Sequence, residues 1–86
     1  MSKFLAWTDQ AREDYLYWQT QDKKTLKRIN TLIEDTKRTP FYGIGKPEPL
    51  KENLVGFWSR RIDEANRLIY SVDDTNLTIV ACRYHY

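Results

Sequence analysis

The chain reads as an α+β domain with the element order β-α-α-β-β-β, its two antiparallel helices packed on one face of a twisted, mainly antiparallel sheet. Three observations predict this. Apolar residues recur at helical spacing through residues 9–38, and they alternate with polar ones at strand spacing after residue 56. Between the two regimes lies a ten-residue segment, 40–49, that holds all three prolines and two of the three glycines. The 86 residues suit one domain spanning 1–86, of a size that buries roughly 60–65% of its unfolded surface.

Each element has its own signal. Phe4-Leu5-Ala6-Trp7 is apolar, long enough for a strand and too short for a helix. Thr8 or Asp9 can cap the helix that follows, where Ala11, Tyr15 and Trp18 share one face. A turn near residues 19–21 leads to Asp22, which caps a second helix with Leu26, Ile29, Leu32 and Ile33 as its buried stripe. Lys37 and Arg38 suit a helix C-terminus, and Pro40 disfavours helical geometry at Thr39. The loop at 40–49 is stiffened by its prolines, and Glu48 stands between two of them. Residues 57–62 then alternate, with Trp58 and Ile62 on one face and Phe57, Ser59 and Arg61 on the other. Residues 67–72 alternate again, Leu68, Tyr70 and Val72 against Arg67, Ile69 and Ser71. The polar turns 63–66 and 73–76 make a meander, and a last strand is expected over 77–86. The sheet face away from the helices is expected to be exposed.

Composition narrows the function. The chain is 30% charged and 41% hydrophobic, which is globular, and its twelve aromatic residues exceed what a small core needs, leaving rings able to stack on a ligand. A net charge of +2 proves no polyanion partner by itself. Lys23, Lys24, Lys27 and Arg28 do cluster on one helix, and Arg60, Arg61, Arg67 and Arg83 are spread through the last third. One cysteine and one histidine exclude a disulfide framework and the usual zinc patterns, so no metal or cofactor is expected. Neither a signal peptide nor a membrane span is evident, which points to a cytoplasmic protein.

The ending Ala81-Cys82-Arg83-Tyr84-His85-Tyr86 gathers the sole histidine with arginine and tyrosine. Cleaving RNA without a metal needs a base for the 2′-hydroxyl, a cation at the phosphate and an acid for the 5′-oxygen. Glu48 can serve as the base, Arg67 as the phosphate clamp and His85 as the acid, since histidine titrates near neutrality. Tyr86 can orient the phosphate or stack on a base. Each residue also fits a plainer role: a surface histidine, a cross-strand ion-pair arginine, a solvated glutamate, a packed tyrosine. Spacing alone does not choose. In a regular strand His85 and Tyr86 face opposite sides, so serving one site together requires a bend near the end of the strand.

Five blocks carry a closer likeness: Tyr15-Leu16-Tyr17-Trp18, Arg38-Thr39-Pro40-Phe41, Gly45-Lys46-Pro47-Glu48-Pro49-Leu50-Lys51, Gly56-Phe57-Trp58-Ser59-Arg60-Arg61-Ile62 and the ending at Tyr86. In this order and spacing the chain resembles the YoeB/Txe family of bacterial toxins, within the RelE/ParE-like superfamily. The resemblance implies a RelE-like microbial ribonuclease fold and an mRNA endoribonuclease that acts in the ribosomal A site and arrests translation. It implies Glu48 as base, Arg67 as phosphate stabiliser, His85 as acid and Tyr86 as the terminal tyrosine, with Lys51 and Arg61 assisting in RNA or phosphate binding. It further implies a cognate antitoxin that covers the site, operator DNA contacted only through that complex, and toxin homodimers. Two other readings stay open: a non-enzymatic toxin of the same fold, as in the ParE-like gyrase inhibitors, and a plain RNA-binding module.

Overall fold

Thr8 marks the passage from strand to helix in the computed structural model, which describes residues 3–84. Strand β1 (Phe4–Trp7) ends just before it and helix α1 (Asp9–Gln21) begins just after. Its hydroxyl accepts from the Ala11 amide at 3.1 Å, capping the helix, and donates to the Val80 carbonyl at 2.7 Å. Of the two expected caps, Thr8 is the one used. Asp22 is the single residue between α1 and α2 (Lys23–Arg38). Its amide closes α1 on the Trp18 carbonyl, and its carboxylate accepts from the Lys24 and Thr25 amides to open α2. The turn expected at 19–21 is therefore helical, because one extended residue supplies both caps.

The remaining strands are β2 (Glu48–Pro49), β3 (Trp58–Arg61), β4 (Arg67–Val72) and β5 (Asn76–Ala81), with a 3₁₀ turn at Glu52–Leu54 before β3. They form one sheet in the order β1-β5-β4-β3-β2, in which β1 runs parallel to β5 and every other pair is antiparallel. The sheet thus has five strands where the alternation pattern shows four. The extra one, β2, lies inside the proline loop, and Pro49 is tolerated there because an edge strand can spare an N–H. Both helices cover one face. Leu68 and Tyr70 of β4 and Leu77 and Ile79 of β5 meet Ala11, Trp18, Ile29, Leu32 and Ile33 in a single core.

A β-bulge re-aims the end of β5. Ile69 pairs with Ala81 while its neighbour Tyr70 pairs with Ile79, so Val80 is an extra residue. Leu77 and Ile79 face the helices, Ala81 faces away, and Cys82 returns to the core beside Ala11. The strand ends at Ala81 instead of running through 77–86, and Tyr84 takes a left-handed conformation with φ +68°. The bend expected to bring His85 and Tyr86 to one side falls on those two residues, which lie outside the described residues. On the face away from the helices, Arg61 is exposed as expected, but Ser59, Ile69 and Ala81 are buried. Among the described residues no helix is long and apolar enough to cross a membrane.

Candidate active site

Register brings several of the nominated residues onto the face opposite the helices. Glu48 pairs with Ser59, Ser59 with Ile69, and Ile69 with Ala81, so these four form one row across the sheet. Two residues along β3 and β4, Arg61 pairs directly with Arg67. Side chains two apart on a strand share a face, which puts Glu48 and both arginines on the same surface. Strand spacing and rise place the Glu48 and Arg67 backbones about 12 Å apart, a gap that two long side chains can close around one phosphodiester.

Facing arginines are an electrostatic cost, since like charges opposed across a ladder destabilise it by roughly 0.2–1 kcal/mol. Among the described residues neither arginine has a carboxylate within ion-pair distance; the ion pairs there are Lys37–Glu34, Arg38–Asp35 and Arg60–Asp35. One nitrogen of the Arg67 guanidinium, Nη1, instead donates to the carbonyls of Asp63, Glu64 and Asn66 in the β3–β4 turn. An anion arriving over this pair would relieve the repulsion. Glu48 and Lys51 are exposed, and Lys51 precedes the 3₁₀ turn.

The approach to the last two residues is fastened at two places. At Cys82, Asp14 accepts the amide proton at 3.0 Å while the Trp18 indole donates to the carbonyl at 2.8 Å. Asp14 and Trp18 are one helical turn apart, so α1 grips both backbone groups of one residue. At Tyr84, the amide donates to Asn66 Oδ1 at 2.7 Å and the carbonyl accepts from the Arg67 amide at 2.8 Å. Between them, the Arg83 guanidinium lies 3.5 Å from the Tyr17 ring centroid and 4.5 Å from that of Tyr84. The chain is thereby tied to the backbone of Arg67 one residue before His85. Neither clamp has a local sequence signal, since Asp14 and Cys82 are 68 positions apart and Asn66 and Tyr84 are 18.

Cys82 is no nucleophile. Burial, and then the neighbouring Asp14 carboxylate, push its thiol up to about 12. Native protein mixed with a colorimetric disulfide reagent at pH 8 is expected to release no product until denaturant is added. Prompt reaction of the folded protein would contradict the burial seen here.

A second cluster lies on the helix side. Arg60 follows Trp58 at strand spacing, at a core position, and it is fully buried. It bonds Asp35 at 2.6 Å, the Tyr70 hydroxyl at 3.3 Å and three carbonyls of the loop after α2. Sequence reasoning had grouped it with the scattered cations; a charge in phase with Trp58 and Ile62 was the available signal.

The family model for YoeB-like toxins of bacterial type II toxin–antitoxin systems matches residues 7–86. Toxin YoeB of Escherichia coli K12 is 63% identical over 82 residues, covering 95% of this chain and 98% of that protein. A YoeB dimer from Staphylococcus aureus superimposes with a TM-score of 0.93 at 47% identity, over 100% of both chains. A heterotetrameric YoeB–YefM toxin–antitoxin complex from the same organism gives 0.89 at 47% identity, again over 100% of both chains. With likeness of this extent over the whole sheet and both helices, the chain belongs to the YoeB-like toxins of bacterial type II toxin–antitoxin systems.

Proposed function

We propose that this toxin is a ribosome-dependent endoribonuclease that cuts mRNA in the A site by metal-independent acid–base chemistry and so stops translation. The observation that carries the reading is the face on which Glu48 and the opposed Arg61–Arg67 pair stand in adjacent register rows. Glu48 takes the proton from a 2′-hydroxyl, and the freed oxygen attacks the adjacent phosphorus. Arg67, with Arg61 opposite, meets the charge that grows on the phosphoryl oxygens. His85 gives its proton to the departing 5′-oxygen as the P–O bond breaks, and Tyr86 steadies the phosphate. The products are a 2′,3′-cyclic phosphate and a 5′-hydroxyl. Lys51 adds a cation for the RNA backbone.

The reading carries the partners with it: ribosome and mRNA as targets, a cognate antitoxin of the YefM kind, a second toxin copy, and operator DNA through the antitoxin complex. The toxin works in the cytoplasm, where ribosomes and message are. The YoeB dimer and YoeB–YefM complex among its relatives support the protein partners.

Mapping mRNA ends after induction tests it. Wild-type protein is expected to produce new 5′-hydroxyl ends within codons of translated messages, and His85→Ala none. In a purified ribosome assay, cleavage is expected to persist when divalent ions are lowered to the minimum that keeps the ribosomes intact. Arrest of DNA replication ahead of protein synthesis, with message left whole, would instead favour a gyrase-directed toxin.

A further inference from the structure

The loop between α2 and β2 is built around one guanidinium. Nη1 of Arg60 donates to Asp35 at 2.6 Å and to the Ile44 carbonyl at 3.1 Å. Nη2 donates to the Thr39 carbonyl at 2.6 Å and the Tyr42 carbonyl at 3.0 Å, and Nε to the Tyr70 hydroxyl at 3.3 Å. All five donors of the side chain are used. Tyr70 passes its own proton to the Pro40 carbonyl at 2.7 Å, and the Arg61 amide takes the Gly45 carbonyl at 2.6 Å. Carbonyls at 39, 40, 42, 44 and 45 therefore turn inward onto two adjacent residues of β3 and one of β4. Asp35 completes the wrap by accepting from the Ile44 amide at 3.0 Å.

Little slack remains between this wrap and Glu48. Glu48 is three residue steps beyond Gly45, which limits their span to about 10–11 Å. Lys46 is held at φ +51° and Pro47 has its φ set by its ring. Glu48 then pairs with Ser59. The two ends of the segment are thus tied to Ser59 and Arg61, the residues on either side of Arg60. Gly43 and Gly45 show how close the wrap is: a β-carbon at Gly43 would collide with Asp35 Oδ2, and one at Gly45 would come 2.8 Å from Leu32 Cδ2.

We infer that Arg60 is a positioning residue for Glu48: by gathering the loop carbonyls beneath the sheet it sets where the carboxylate stands on the opposite face. The inference rests on the nuclease reading above. Lysine at position 60 keeps the charge beside Asp35 but offers three donors from one point, so it cannot serve carbonyls arranged around a planar fork. Displacement of a catalytic group by an ångström can cost on the order of 10²-fold in rate.

The test is a double-mutant cycle in a ribosome cleavage assay, run where every variant is folded by circular dichroism. Arg60→Lys is expected to lower kcat by ten- to a hundredfold with KM unchanged, and to cost less than twofold more when Glu48 is already Gln. Tyr70→Phe, which removes one hydroxyl from the wrap, is expected to give a smaller loss of the same kind. Asp73→Ala, which loosens the β4–β5 turn at the end of the sheet away from Arg67, serves as a destabilised control and is expected to keep wild-type kcat. Wild-type protein that leaves RNA intact would overturn the nuclease reading. Wild-type protein that cleaves, with Arg60→Lys costing as much in the Glu48→Gln background as alone, would overturn the inference and leave that reading standing.

Discussion

Glu48→Gln protein is expected to cleave mRNA 10²- to 10⁴-fold more slowly than wild type, the range general-base removal usually spans, while melting at the same temperature. The two halves of that result come from different features. Glutamine keeps the size of the side chain but cannot accept a proton, so the 2′-hydroxyl stays protonated. The residue is exposed, on a two-residue edge strand, and makes no side-chain hydrogen bond or ion pair with another described residue, so folding loses almost nothing. Rate and melting temperature measured on one preparation check both. A rate within threefold of wild type would remove Glu48 from the chemistry. Arg67→Ala is a less clean experiment, because Arg67 Nη1 also braces the β3–β4 turn through three carbonyls.

Asp35→Ala is expected to act on the fold first, ahead of the loss of rate that a loosened Arg60 wrap would bring. It leaves the fully buried Arg60 charge without its carboxylate, a loss of about 3–5 kcal/mol when one partner of a buried pair is removed. A domain of this size loses roughly 4–8 °C of melting temperature per kcal/mol, so the variant should melt many degrees lower or not fold at physiological temperature. The pH dependence carries the same signature. The Arg60 guanidinium, and then the Ile44 amide, hold the Asp35 carboxyl below its usual 3.8. A carboxyl depressed in the folded state contributes stability that is full above about pH 4 and is lost as pH falls through its folded value. Asp22 and Asp73, lowered by hydrogen bonds from Thr25 and Asn76, add to the same acid limb. Denaturant melts of wild type at pH 7 and pH 3 should differ by more than those of Asp35→Asn. Equal differences would mean that the ion pair contributes little.

How much of this could be read from residues alone depends on the range of the interaction that decides each feature. Caps and stripes are local: Thr8, Asp22 and the Leu26 to Ile33 face announce themselves within one or two turns, and both helices follow. Alternation in 57–62 and 67–72 likewise contains its own answer. The parallel pairing of β1 with β5 does not, since it joins residues 72 apart through a choice of neighbours that no short pattern encodes. Strand β2 was hidden because two prolines mask what is only a brief edge contact. The site divides the same way. Glu48, Arg67, His85 and Tyr86 were nominated by chemistry and by resemblance, and register explains how Glu48 and Arg67 share a face. Arg60, Asp35 and the Asp14–Trp18 clamp escaped because their roles depend on distant partners: Arg60 and Asp35 are 25 positions apart, and Asp14 and Cys82 are 68.

The strand order has a further consequence, for synthesis. β5 follows every other strand in the chain yet sits between β1 and β4. A nascent chain that has not yet emitted it holds a sheet in two pieces. β1 has no neighbour, α1 has no Cys82 to grip, and one edge of β4 is open. Loop closure over such a span is slow to begin and is rewarded only at completion. The order of strands thus leaves the sheet incomplete until β5 has emerged, and only then do β1 and β4 gain the neighbour that joins them.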